Sequence, residues 1–478
     1  MNTPASPDAV PALARRFADF TQGLSLDRVP AEVSVRARHL MLDAIGCAMA
    51  SRSEVFASRF NDAVRDASGP AAASAGEAAV IGFAGRLPMR DAALLNGMLM
   101  HGLDYDDTHM AGIVHLTVSV LPTLLAVAAR RKSSGAAVVE AYVAAIEAGT
   151  RIASVARGGF HRQGFHPTGV VGAFASALAA GRLIGLDAEG LARAQGIALS
   201  MASGSLQFLE DGAWTKRVHP GWAAQAGITA ATFAAHDIPA PLAVYEGRFG
   251  LFNLYLGAER EGVDPARAAD GLDGSGAARW ELMNVAVKPF AVCHFSHAAA
   301  DAAIAVHGMG IDPARIASVE VLMPAGTMPV VCDPIEAKRR PQSDYEAKFS
   351  VPYAVASGLL RGRLGLRELL PVAFGDAAAL ALMDRIHCVA DPASTFPQHY
   401  TGEIVVTLDD GQQIRHREAI NRGHAERPLK NEDVRDKFLA NATLHFSEQH
   451  AHAVCESVLV LDRAESIATL DGLLGQDP

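Results

Sequence analysis

Through the first half of the chain, from about Val10 to Leu256, apolar positions recur every three or four residues. Val33, Ala37, Leu40, Met41, Ala44, Ile45 and Ala48 form one such stripe behind Pro30, a residue that suits a helix start. The same spacing predicts helices at about Asp91–Leu103, Thr117–Arg131, Ala136–Arg157, Val170–Leu186 and Ala188–Ser203, divided by Gly, Pro and His-rich breaks. An all-helical body is expected.

The pattern changes beyond the Gly/Asp-rich stretch Ala268 to Gly276, where a loop or domain boundary is expected. Ser318–Met323 alternates in part with period two. Glu403–Leu408, the turn pair Asp410 and Gly411, and Ile414–Glu418 read as a hairpin. Helices are predicted at Val351–Arg361 and Ala377–Ile386, and again from Asn431 to Leu474. The expected fold is mostly α: a large helical domain, 1–270, completed by 425–478, and a smaller α+β lid domain, 271–424.

Composition narrows the function. The 478 residues are 50% hydrophobic and 20% charged, which fits a globular, Ala-rich protein with a sizeable core. A net charge of −10, with no basic run longer than Lys338–Arg340, argues against nucleic acid. Cys47, Cys293, Cys332, Cys388 and Cys455 lack C-x-x-C spacing, so reduced thiols in a cytoplasmic setting are expected. The N-terminus has no signal-peptide pattern, and the apolar stretches read as broken before membrane-spanning length.

Four segments carry candidate chemistry. His101–His115 holds three Asp and three His. If the preceding helix runs on, Asp104 shares a face with His101 and Thr108, where a carboxylate can orient a histidine or act as a base. The same segment also reads as a solvated loop with capping aspartates. His and Asp suit Zn, Mn or Fe, but no H-E-x-x-H spacing occurs, and no metal is expected. Gly164–Gly172 sets His166 before a small-residue helix whose free amides, near Thr168 or Gly169, favour an anion; an ordinary cap is the alternative. Thr215–Trp222 is the densest basic cluster of the helical half. Its Lys216, Arg217 and His219 would neutralise substrate carboxylates, unless it is simply a charged loop. Val287–His297 puts Lys288, Cys293, His294 and His297 in an apolar run, costly to bury unless paired or used, although Ser296 and His297 also suit a helix cap.

Together these segments resemble the MmgE/PrpD family, which includes 2-methylcitrate dehydratase, cis-aconitate decarboxylase and an iminodisuccinate epimerase. The matching stretches are His101–His109, His166–Gly169, Lys216–Ala224, Tyr245–Gly247, Lys288–His297 and Ala347–Tyr353, in order over nearly the whole chain. After His115 the chain reads Leu-Thr-Val-Ser where relatives commonly have His-Pro-Ser, a departure that bears on specificity.

The resemblance implies a homodimer with no metal or organic cofactor, a pocket between its domains, and a small polycarboxylate as substrate. Positions matching the functional residues are Asp104, Thr108, His115, His166, Lys216, Lys288, His294 and Tyr353, with Cys293 as the alternative to His294. The expected activity is a lyase, dehydratase or decarboxylase, in which Lys216 and Lys288 bind carboxylates, helped by Arg217. His115 and His166 would move protons, Asp104 would orient or charge one of them, and Tyr353 would close the pocket. An epimerase is the alternative, and a non-catalytic carboxylate-binding protein the third reading.

Overall fold

The computed structural model describes residues 12–70, 76–272 and 280–478. The protein is mostly α, and the described chain forms two compact units, one from Met1–Val285 with Asn431–Pro478 and the other from Ala286–Lys430. Part of the predicted Gly/Asp-rich boundary, 273–276, lies outside the described residues.

The larger unit opens with α1 (Leu13–Gly23), α2 (Ala31–Ser51) and α3 (Val55–Ser68). A short antiparallel hairpin follows, β1 (Ala78–Val80) and β2 (Phe83–Leu87), turning at Gly82 with φ +72°. This corrects the all-helical expectation: two strands this short leave too little period-two signal to stand out. Next come α4 (Met89–His101), α5 (Thr117–Arg131), α6 (Gly135–Val155), α7 (Pro167–Ile184), α8 (Ala188–Ala198) and α9 (Thr215–Ala235).

The centre of this unit is α7, packed against α5, α6 and α9. It is long and apolar enough by composition to cross a membrane, contrary to the reading that such stretches are all broken, and 83% of it is buried inside the protein as a core helix. Small residues let these helices approach closely. A methyl group on Gly97 of α4 would lie 2.6 Å from the Gly221 Cα of α9, and one on Gly221 would lie 2.0 Å from the Leu94 carbonyl oxygen. The crossing of α4 and α9, which sets His101 and Lys216 in register, therefore has no room for a side chain at Gly221.

In the smaller unit, β3 (Ile316–Met323), β4 (Ile386–Ala390), β5 (Gly402–Leu408) and β6 (Gln413–Glu418) form one sheet in the order β4-β3-β5-β6. β4 runs parallel to β3, pairing Val319 with Ile386, and the other two pairings are antiparallel. α10 (His297–His307) packs on β5 and β6 and against α11 (Val351–Arg361). The predicted helix Ala377–Ile386 stops sooner, as α12 (Ala377–Met383), because Ile386 already begins β4. The tail returns to the larger unit as α13 (Asn431–Ala442), α14 (Glu448–Leu459) and α15 (Ala468–Leu474). There Lys437 of α13 reaches the buried Asp43 of α2 at 2.6 Å and donates to the Tyr105 carbonyl at 2.8 Å.

Gly221→Ala tests the close crossing. Overpacking of this kind costs about 1–3 kcal/mol, so urea unfolding should register a loss in that range. An unchanged midpoint would contradict the contact.

Candidate active site

The site of the larger unit begins where α4 ends. The helix stops at His101, and the chain turns through Asp104, whose φ of +55° is the left-handed conformation that Asp tolerates better than most residues. This corrects the expectation that the helix runs on past Asp104. The turn, rather than helical spacing, sets the carboxylates.

Asp106 is fully buried and accepts from His101 Nδ1 at 2.9 and 3.0 Å on its two oxygens. His115 Nδ1 lies 3.4 Å from Asp106 Oδ2, 2.6 Å from the Asp107 carbonyl oxygen and 3.2 Å from the Thr108 hydroxyl. The shortest of these contacts puts the His115 hydrogen on Nδ1 and leaves Nε2 as the open nitrogen. Burial alone would push the Asp106 pKa up, but His101 and His115 outweigh it and hold Asp106 well below the ordinary carboxylate range. Burial lowers the pKa of His101 against the pull of Asp106, so the pair reads as a neutral imidazole donating to a carboxylate.

Asp107 is the opposite case. Burial, reinforced by the charges of Asp106 and Asp43, pushes it up to about 8 despite the hydrogen bond from the Thr117 hydroxyl. Neighbouring carboxyls with opposite protonation are the arrangement that enzymes use to divide acid and base roles.

α7 brings the third wall. His166 is its N-cap, Pro167 fills the first helical position, and the Thr168 hydroxyl accepts the His115 backbone N–H at 3.1 Å. The His166 ring stacks on His101 with centroids 5.6 Å apart and lies 6.1 Å from His115. Its Nδ1 sits 3.0 Å from Nδ1 of His219 on α9. Burial takes His166 well below its usual pKa and His219 to about 4, so both rings are neutral near pH 7 and share one hydrogen between the two Nδ1 atoms. Lys216, in the first turn of α9, pairs with Asp104 at 2.9 Å, each side chain about a quarter exposed. Asp104 is thus the partner of a lysine, not of a histidine as expected from the sequence; the carboxylate that serves the histidines is Asp106.

Arg217 is engaged with residues of the larger unit. Its Nε donates to the Gly102 carbonyl at 2.7 Å, and its guanidinium lies over the Phe56 ring at 4.5 Å. In the smaller unit, Lys288 and His294 are buried and Cys293 is half-buried. His294 Nε2 accepts from the Asn421 amide at 2.9 Å, and its ring meets Tyr400 and His297 with centroids 5.4 and 4.6 Å away. The predicted cap by Ser296 is not made through its side chain, although α10 does begin there. Tyr353 is buried and donates its hydroxyl to the Glu368 carbonyl, a structural use.

Among the described residues, two sets of ligand-type atoms lie within 4.8 Å of one another: His101, Asp106 and His115, and His399, His424 and Glu426. In the first, Nδ1 of His101 and both Asp106 oxygens are joined by hydrogen bonds, so a cation would have to displace a proton. In the second, His424 Nδ1 accepts the Glu426 N–H at 3.1 Å, leaving its Nε2 protonated in the neutral ring.

The residues least announced by the sequence are Asp106, Asp107 and the His166–His219 contact. Asp106 lies five positions after His101, a spacing that no helix or strand face brings together. The two histidine–proline pairs were the readable signal for the last, although only His166–Pro167 opens its helix, while His219–Pro220 lies inside α9.

A set of buried, neutral imidazoles, one ionised carboxylate and a neighbouring lysine defines an acid–base centre suited to an anionic substrate. Residues 15–262 match the MmgE/PrpD N-terminal domain and residues 290–463 the C-terminal domain, and the chain belongs to the MmgE/PrpD family. It is 26% identical to a cis-aconitate decarboxylase-like protein, oryM, of Aspergillus oryzae, covering 93% of this chain and 94% of that one. It is 28% identical to a human cis-aconitate decarboxylase over 97% and 94%, and 26% identical to that of Aspergillus terreus over 98% and 97%.

The raised Asp107 pKa has a consequence for stability. With a folded value of about 8 and an unfolded value near 3.9, the folded protein holds an extra proton between these limits, so stability falls as pH rises through that window. Asp107→Asn removes this slope, and urea unfolding between about pH 5 and pH 8 should show the variant gaining on the parent as pH rises. Parallel curves would contradict a neutral Asp107.

Proposed function

We propose that this protein is a lyase that decarboxylates a small unsaturated tricarboxylate, of the kind named in its relatives. The observation that carries this reading is the pairing of Lys216 and Asp104 beside His101, His166 and His219, whose charges are suppressed by burial. A substrate carboxylate entering there shares Lys216 with Asp104, beside imidazole rings that stay neutral and donate or accept hydrogen bonds without adding charge.

In the reaction, the bond to the departing carboxylate breaks, carbon dioxide leaves, and the electron pair stays on the carbon skeleton, next to carboxylates that are already negative. Lys216 offsets that charge. A proton delivered to carbon ends the reaction and gives an unsaturated dicarboxylate. His115 is the group suited to deliver it, since Asp106 lies 3.4 Å from its ring and offsets the charge of its protonated form. His166, neutral and stacked on His101, supplies a hydrogen bond to substrate rather than a positive charge.

Lys216→Ala and His166→Ala should each lower kcat at least about 10²-fold, measured as carbon dioxide release from cis-aconitate and related polycarboxylates. Near-parental rates in both would overturn the assignment. Run in deuterated water, the parent should release one carbon dioxide for each deuteron fixed on carbon. Exchange without carbon dioxide would instead mean epimerisation, loss of water a dehydratase, and binding without turnover a non-catalytic protein.

A further inference from the structure

His115 and His166 carry the proposed chemistry, but two of the most deeply buried polar groups of the site, Asp106 and His101, touch no open surface. Both side chains are fully buried. The carboxylate is nonetheless ionised, and an ionised carboxylate is costly to bury, several kcal/mol even after relaxation. Its two oxygens accept from one ring, and Oδ2 also faces the second ring at 3.4 Å. His101 Nε2, on the far side of its ring, has no hydrogen-bond partner among the described residues.

We infer that Asp106 is a positioning residue for the reaction, its carboxylate serving as the acceptor that keeps His101 protonated on Nδ1 with Nε2 open and as the counter-charge to the protonated form of His115. The inference rests on the proposed lyase chemistry. The geometry assigns the two rings different degrees of dependence on Asp106. His115 has a second acceptor, the Asp107 carbonyl at 2.6 Å, so its tautomer survives without the carboxylate and only the compensation of its positive form is lost. The Nδ1 hydrogen bond of His101 goes to Asp106, so without an acceptor there its hydrogen can move to Nε2.

The ring of His101 stands 5.0 Å from His115 and 5.6 Å from His166, so a tautomer change there alters the hydrogen-bonding surface on which both working histidines rest. The other charged or titratable groups facing this pair include Lys216, His166 and His219 toward His101, and Asp43, Asp107 and Cys47 toward Asp106. Lys216 is already paired with Asp104, Asp43 is paired with Lys437, and Asp107 holds its proton. Asp106 is therefore the anion available to answer a proton on His115.

The test is Asp106→Asn, which keeps shape, removes charge and replaces one of the two oxygens facing His101 Nδ1 with an NH2 donor that favours the other tautomer. Expected is a fall in kcat of about 10²-fold or more with KM changed by less than about threefold, since an interaction gained only as charge develops affects kcat and not ground-state binding. Unchanged kcat, or a loss carried wholly by KM, would overturn the inference. Histidine nitrogen-15 spectra give a readout independent of turnover. The parent should have His101 and His115 protonated on Nδ1, and the variant should move the His101 hydrogen to Nε2 while His115 keeps its pattern. A parent with either ring protonated on Nε2 overturns the inference even if the variant fails to fold. If no polycarboxylate is turned over by the parent, the functional reading fails, while the nitrogen-15 pattern still decides the role of Asp106.

Discussion

The arrangement depends on keeping one buried negative charge compensated. Asp106 has no solvent to stabilise it, and a buried charged group left without its hydrogen-bond partner costs more than the about 1–3 kcal/mol of a neutral one. The protein meets this by presenting ring nitrogens from two places, His101 at the end of α4 and His115 just before α5. The turn between them therefore cannot drift without exposing an unpaired carboxylate. The strained φ of Asp104 is tolerated because it puts Asp106 between the two rings while its own side chain reaches Lys216.

Packing supplies what the turn alone cannot. Residues from α4, α7 and α9 must meet within a few ångströms for His101, His166, His219 and Lys216 to share one site. Helices ordinarily sit 8–10 Å apart according to the side chains between them, and glycine at Gly97, Gly221 and Gly227 reduces that spacing here. The alanine and glycine content of the chain is thus part of the chemistry: bulkier interfaces would separate the groups and admit water. Dense packing also strips charge from the histidines, leaving His166 and His219 neutral at the pH where an anionic substrate is fully ionised.

Much of the fold was legible because it is written in long periodic helices. Thr117–Arg131 and Val351–Arg361 have the predicted bounds, and the hairpin around Asp410 and Gly411 forms where its turn residues sit. What escaped is short or non-periodic: the β1–β2 hairpin, and β4, hidden at the end of an alanine-rich helical pattern. The site followed the same rule. Residues flagged by composition and by the family resemblance, His115, His166 and Lys216, do come together. Their carboxylate partners were misassigned because helical spacing favoured Asp104, whereas a left-handed turn delivers Asp106 to the histidines. Arg217 and Tyr353 show the converse, since a sequence cannot reveal which backbone carbonyl a polar group engages.

The most direct test of the account is a crystal structure with an unreactive tricarboxylate bound. The account predicts one substrate carboxylate within hydrogen-bond distance of Lys216 Nζ, and the reacting carbon facing Nε2 of His115, with His166 bonded to a carboxylate oxygen. A ligand seated away from Lys216 and these rings, with the histidine cluster unengaged, would contradict it.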